Sequence, residues 1–253
     1  MKIGGIKTFA DGSIQGYTGY LGQPYHTPFH GDASYRGFPR ADREALAQQV
    51  LGHHKAGRQL LVHGNGDAAI DDILHAFRRA QEEAPRSNAR HTVIHSQTVR
   101  EDQLDEMKRL NVIPSYFILH TYYWGDRHRD VFLGPVRAER ISPARSTADR
   151  GMVYTIHADT PVVPMDPMRL IWAAVNRVST SGAVIGSAQR VSAIDALRAT
   201  TINAAYQNFE EKERGSIEVG KWADLAVLSA NPAAVDPSAI KDIRVLETVL
   251  EGK

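Results

Sequence analysis

The chain of 253 residues has no cysteine. That excludes a disulfide framework and any thiolate metal site, so a bound transition ion would have to sit on His, Asp, Glu or a modified Lys. It also lacks an excess of either charge: 30 Lys and Arg stand against 29 Asp and Glu, a formal net of +1. There is accordingly no electrostatic case for nucleic acid or an anionic membrane as a partner. No apolar run approaches the ~20 residues that span a bilayer. The opening residues lack the apolar centre of a signal peptide, which makes a cytoplasmic setting the expectation. Internal repeats and low-complexity tracts are absent too, and a His-x-His pair occurs nowhere among the 11 histidines.

What is present is ordinary globular material, 42% hydrophobic and 23% charged, enough for one large domain or a domain with an appendage. Short apolar runs alternate with amphipathic helical patterns, the signature of βα units on a parallel sheet. The runs at 3–9, 59–62, 92–94, 112–117 and 153–156 read as strands. Helices are expected from Asp42, a good N-cap, and over 68–83, 100–110, 167–178 and 192–206. Two later runs, 224–228 and 245–250, break the rhythm and read as a small β appendage. Residues 11–40 are rich in Gly, Pro, Tyr and His without periodicity, and a connection that long is usually functional. A linker is expected between Asn231 and Pro237. Five parallel strands are too few for a closed eight-stranded barrel, whose core alone takes about 250 residues.

In such folds the chemistry sits at the C-terminal ends of strands. The second apolar run ends at His63, the third at His95, and the fifth leads into His157-Ala158-Asp159-Thr160-Pro161, while the first contains Lys7. The step from His63 to His95 is 32 residues and that from His95 to Asp159 is 64, one and two βα units at about 250 residues per eight. Each residue alone has a plainer use. A strand-end His is commonly a hydrogen-bonded core residue, an Asp before Thr-Pro a turn residue, and a strand Lys a snorkelling one. Their common register argues for one mouth.

Several blocks carry a resemblance. Gly4-Gly5-Ile6-Lys7-Thr8-Phe9-Ala10-Asp11-Gly12-Ser13 followed by Thr18-Gly19-Tyr20-Leu21 resembles the strand-four block of the amidohydrolase 3 family. Val62-His63-Gly64-Asn65-Gly66-Asp67 is similar to its strand-five block, Arg90 to Gln97 to its strand-six block, and Ala158-Asp159-Thr160-Pro161-Val162 to its strand-eight block. Gly215-Ser216-Ile217-Glu218-Val219-Gly220-Lys221-Trp222-Ala223-Asp224-Leu225 resembles the C-terminal signature shared across amidohydrolases and is the most specific of these.

The resemblance implies an α/β fold: an incomplete (β/α)8 TIM barrel, roughly strands four to eight, over residues 1–210, with C-terminal strands of a β-sandwich appendage over 211–253. It implies a metal-dependent hydrolase of amide or cyclic amide C–N bonds in small molecules. His63, His95 and Asp159 would be metal ligands, Lys7 a carboxylated bridging ligand, and Asp159 also the general base. One or two divalent ions would be held, zinc foremost. His120, Tyr122 and Trp124, in a variant strand-seven block, would line the substrate pocket. Asp67 and Ala68 would cap the following helix. His157 stands where the family commonly has a small residue, and no role follows for it.

The chain departs from the family in lacking the first-strand His-x-His and the strands that open the appendage. His53 and His54 are adjacent in a helical pattern and cannot face one site. Bare strand edges lead to the expectation of a homo-oligomer or a complementing N-terminal half. Two other functions stand against the hydrolase: a catalytically inactive fragment with at most a weak metal site, and a metal-free barrel using Lys7 as a Schiff-base amine.

Overall fold

The computed structural model describes residues 4–253. The chain begins with strand β1 (Ile6–Phe9), so residue 3 of the expected first strand lies outside the described residues. There follow helix α1 (Arg43–Lys55), β2 (Leu60–Gly64), α2 (Asp67–Glu83), β3 (Thr92–His95), α3 (Glu101–Leu110) and β4 (Ile113–Tyr116). Short helical turns then occupy α4 (His120–Tyr123), α5 (Gly125–Arg127), a π-helical stretch (His128–Phe132), α6 (Gly134–Ala138) and α7 (Ala144–Asp149). The order is completed by β5 (Thr155–Ile156), α8 (Pro167–Asn176), α9 (Ala193–Thr200), α10 (Ile202–Gln207), β6 (Leu225–Leu228) and β7 (Val245–Val249).

The first five strands pair in sequence order, all parallel, and β6 and β7 form a separate antiparallel pair. Expected strands and helices agree with these within a few residues. One expected helix, 192–206, is two, α9 and α10, broken at Thr201. The stretch from Asn231 to Pro237 is no free linker: it leads into a 3-10 turn (Pro237–Asp242), where Ser238 O accepts from Trp172 Nε1 on α8 at 3.1 Å.

Local sequence accounts for the helices. Asp42 caps α1 by accepting from the backbone N–H of Glu44 and Ala45, which satisfies donors the helix cannot. Helix α2 buries Ala69, Ile70, Ile73, Leu74, Ala76, Phe77 and Ala80, an i, i+3, i+4 stripe. That stripe meets Leu60, Val62 and Val93 of the sheet in one core; full burial of a side chain such as Ile73 contributes about 1.5–3 kcal/mol. Gly66, not Asp67, is the N-cap of α2. The Asp67 carboxylate turns away, accepting from Gly22 N at 2.8 Å and facing Arg100 at 3.4 Å.

Residues 11–40 build a second, small core. Ile14, Leu21 and Tyr25 pack with Phe132, Leu133, Ile141 and Ile185, and Tyr17, Phe29 and Tyr35 stack around them. The loop thereby packs against the region beyond β4 with only one 3-10 turn (Ile14–Gly16) of helix among its described residues. Arginines between 137 and 150 tie this region to its neighbours: Arg137 donates to the carbonyls of Leu133 and Pro24, and Arg150 binds Asp105 and Glu101.

His54 points inward from α1. Its Nδ1 lies 2.8 Å from His91 Nε2 and its Nε2 2.7 Å from Ala84 O, while Leu60 N donates to His91 Nδ1 at 3.1 Å. One proton placement satisfies all three contacts, with both rings neutral and carrying hydrogen on Nε2. Burial pushes His91 down to about 3. Because that lies below the unfolded value near 6.5, the unfolded chain takes up the proton first. The contribution is therefore whole above about pH 6.5 and is lost as pH falls towards 3. His91→Gln keeps an acceptor and a donor without titrating. It should lose about 2 kcal/mol less stability than the native protein between pH 7.5 and 4.5. Urea midpoints at the two pH values measure this, and equal losses in both proteins would refute it.

Candidate metal centre

The parallel register sets one strand end beside the next: Phe9 pairs with His63, Gly64 with His95, His95 with Tyr116, and Tyr116 with Ile156. A line of imidazoles results. His63 Nδ1 is 3.0 Å from His95 Nε2, His95 Nδ1 is 3.2 Å from His157 Nε2, and His157 Nδ1 is 2.9 Å from Ser115 Oγ. One donor atom each of His95, His157 and Asp159 falls within 4.8 Å of the others. His95 and Asp159 both hold left-handed backbone, φ 75° and 53°. For non-glycine residues this conformation is uncommon and tends to mark sites where geometry is imposed.

His63 is held from behind. Its Nε2 is 3.0 Å from Gly12 O and from Asn65 Nδ2, and 3.5 Å from Asp11 Oδ1. Asp11 is wholly buried and accepts three backbone N–H groups, from Tyr20 (2.9 Å), Asn65 (3.0 Å) and Gly66 (2.8 Å). Burial pushes Asp11 up to about 7 against the pull of those donors.

Electrostatics keep the rings neutral. Burial lowers His63 to about 4 and His157 to about 3, and it holds His95 well below the usual range, with the neighbouring imidazoles adding to the effect. A neutral imidazole offers a lone pair, the form a metal needs. Burial also lowers the pKa of Lys7 while nearby Asp159 raises it, and raises that of Asp159 while Lys7 lowers it. Lys7 itself is exposed to solvent.

Of the three residues expected to line a pocket, two adjoin this centre. His120 is buried with its ring 6.1 Å from that of His95, and Trp124 packs edge-on to Phe117 and His120. Tyr122 instead sets its ring against Trp172 of α8, under the guanidinium of Arg169. A cavity of about 220 Å³ between Leu21, Asp67, Val99 and Arg137 has none of the candidate ligands in its wall.

Sequence reasoning missed His157 and Asp11. For His157 the available signal was its place two residues before Asp159, hence on the same strand end. For Asp11 there was none, because its partners are backbone groups up to 55 positions away. The donor set of nitrogens and carboxylate, without sulfur, fits a divalent transition ion of the zinc, iron, manganese or nickel kind.

The model of the amidohydrolase family matches residues 1–253. The Bacillus subtilis (strain 168) protein YtcJ, whose name assigns it provisionally to the amidohydrolases, is 28% identical over 261 residues, 100% of this chain and 47% of YtcJ. N-substituted formamide deformylase of Arthrobacter pascens is 29% identical over 202 residues, 78% of this chain and 36% of that protein. The crystal structure of an uncharacterized metal-dependent hydrolase from Pyrococcus furiosus matches with a TM-score of 0.72 at 26% identity, over 93% of this chain and 45% of the other. The chain thus spans about half or less of the length of the relatives it matches.

Replacing Asp11 with Ala leaves three N–H donors, two buried and one part-buried, without an acceptor and frees the back of His63. Each orphaned group costs about 1–3 kcal/mol, so Asp11→Ala should destabilise the fold by about 3 kcal/mol or more in urea unfolding. A loss below about 1 kcal/mol would mean that the carboxylate is not the clamp described.

Proposed function

The chain belongs to the amidohydrolase family, and on that premise we propose that it hydrolyses C–N bonds, amide or cyclic amide, in small molecules with a divalent metal ion at the His95–Asp159 centre. The observation that carries this reading is the convergence of His95, His157 and Asp159 donors within 4.8 Å, at strand ends where a βα fold gathers its chemistry. The similarity to a deformylase of N-substituted formamides favours a carbonyl flanked by nitrogen as the point of attack.

His95 and Asp159 would hold the ion, with His63 and His157 beside His95 to share it and Lys7 as a further ligand. Zinc suits this set, and Lys7, whose burial lowers its pKa, would become a bridging ligand on carboxylation. A bound ion supplies Lewis-acid polarisation of the carbonyl and makes water acidic enough to lose a proton near neutral pH. Asp159 would accept a proton from the water whose oxygen bonds to the carbonyl carbon, and would pass it to the amine nitrogen as the C–N bond breaks. Its carboxylate is partly desolvated, which raises its affinity for the proton, while the charge of Lys7 opposes that shift. His120 and Trp124 form an apolar and aromatic wall beside His95.

We read the five parallel strands as part of a TIM barrel, corresponding to strands four to eight over residues 1–210, and residues 211–253 as part of a β-sandwich appendage. Leu225, Val227, Val245, Leu246 and Leu250 are exposed on or beside β6 and β7, and β1 and β5 each have one unpaired edge among the described residues. These surfaces favour a second copy or a complementing N-terminal half as a partner.

Protein purified without chelator should carry close to one or more transition ions per chain by elemental analysis. It should also turn over N-substituted formamides or cyclic amides. His95→Ala should lose the ion and lower kcat/KM by at least about 10²-fold. Metal-free native protein under micromolar zinc, or turnover that is unchanged in the variant, would overturn the reading.

A further inference from the structure

Most of the histidines gathered at this mouth engage a neighbour through a ring nitrogen. His63 meets His95, His95 meets His157, and His157 meets Ser115. Deeper in, His128 Nε2 lies 2.8 Å from the side-chain amide of Gln97. His120 stands among them and is buried, its ring 6.1 Å from that of His95, 5.7 Å from that of His128 and 4.4 Å from that of Phe117. Its Nδ1 is buried without a hydrogen-bond partner, and among the described residues its Nε2 has none either. The backbone holds it in place: His120 opens α4, its N–H donating to Phe117 O at 3.0 Å and its carbonyl accepting from Trp124 N at 3.2 Å.

Resting on the hydrolase reading above, we propose that His120 is the substrate-contacting hydrogen-bond donor of this centre, its ring N–H bonding the carbonyl oxygen of the amide that is cleaved. It is then the polar contact in a wall otherwise made of aromatic carbon.

Either tautomer of His120 leaves the same account, one N–H without an acceptor and one lone pair without a donor. A buried N–H left unmet is destabilising, and such groups are few in folded chains. The neighbours do not relieve it. His128 stands at 90° to it and is committed to Gln97, while Phe117 and Trp124 meet it ring to ring. A carbonyl brought up to His95 supplies the missing acceptor. Burial holds His120 well below the usual histidine range, with His128 and His157 adding to the effect, so the ring is neutral and donates without giving up its proton. As the water oxygen bonds to the carbonyl carbon, the C=O π pair moves onto oxygen, and the negative charge growing there strengthens the bond from the N–H. The water's proton goes to Asp159 as above, and none is exchanged with His120. The same contact selects the substrate: a molecule with the amine part alone offers this N–H nothing to bond.

The test compares the whole chain, native and with His120→Phe or His120→Gln, in two arms. One is steady-state turnover of N-butylformamide with zinc loaded; the other is binding of N-butylformamide and of butylamine to the zinc-free chain. In His120→Phe the zinc content should be unchanged and the unfolding temperature the same or higher, because an unmet polar group has been replaced by a ring that packs. Its kcat should fall by about 10²–10³-fold, the loss of one donor to the growing oxyanion, with KM moving less than about 10-fold. Formamide binding should weaken by about 10-fold while butylamine binding stays as it was. His120→Gln, which keeps an N–H, should recover at least about 10-fold of the lost kcat. Native-like turnover in His120→Phe overturns the proposal and leaves the hydrolase reading standing. So does a loss that comes with a lower unfolding temperature and is not recovered by Gln, which makes His120 a packing residue. If the native chain turns over no amide, the hydrolase reading fails and the binding arm decides alone. A carbonyl-specific loss in His120→Phe then keeps the contact, and equal binding, or none by the native chain, overturns it.

Discussion

A single buried carboxylate ties together everything at the mouth of this sheet. Asp11 leaves β1 and receives N–H groups from its own loop at Tyr20 and from Asn65 and Gly66, where β2 turns into α2. Those bonds hold the long loop down, set the entry to α2, and place a wall behind His63. Three N–H donors converge on one carboxyl group, favouring its charged form against burial, and the same burial makes it costly to leave any of them unmade. The loop's aromatic core of Tyr17, Tyr25, Phe29 and Tyr35 can be small because this anchor fixes its base.

From that anchor the geometry passes from ring to ring. His63 is located by Gly12 and Asn65, His95 by His63, and His157 by His95 and Ser115. All of these rings are kept uncharged chiefly by burial, with Lys7 and Arg40 adding to it at His63 and neighbouring imidazoles at His95 and His157. The backbone supports the same end: His95 and Asp159 turn out of extended conformation into the left-handed region at the ends of their strands. Such residues cost energy that the surrounding packing must offset. Here the packing is ample, since Val93, Tyr116, Phe117 and Ile156 around them are almost fully buried.

The periphery follows different rules. Arg90 lies between the rings of Tyr206 and Phe209 and pairs with Glu211, pinning the segment after α10 to the bottom of the sheet. Arg177 is wholly buried without a carboxylate in its grasp and donates to the carbonyls of Ile141, Ser142 and Ile185. It gathers two loops by satisfying backbone acceptors that would otherwise be buried alone. Neither arginine could be singled out beforehand, because a sequence shows a charge but not the carbonyls or rings that will surround it.

The sequence by itself determined the order of elements, the capped start of α1 at Asp42, and the placing of His63, His95 and Asp159 at or just beyond strand ends. These depend on local periodicity, capping chemistry and the spacing of βα units, all of which are written along the chain. The extent of α9 and α10, the true cap of α2 and the engagement of Asp67 with Gly22 and Arg100 were decided by tertiary contacts. So were the burial of Asp11, the neutral pair of His54 and His91, and the arrival of His157 beside His95. Each of these joins groups tens of positions apart whose meeting costs chain entropy and is compensated only once the sheet has formed. No local pattern could announce them, because the interaction that selects each one exists only in the folded state.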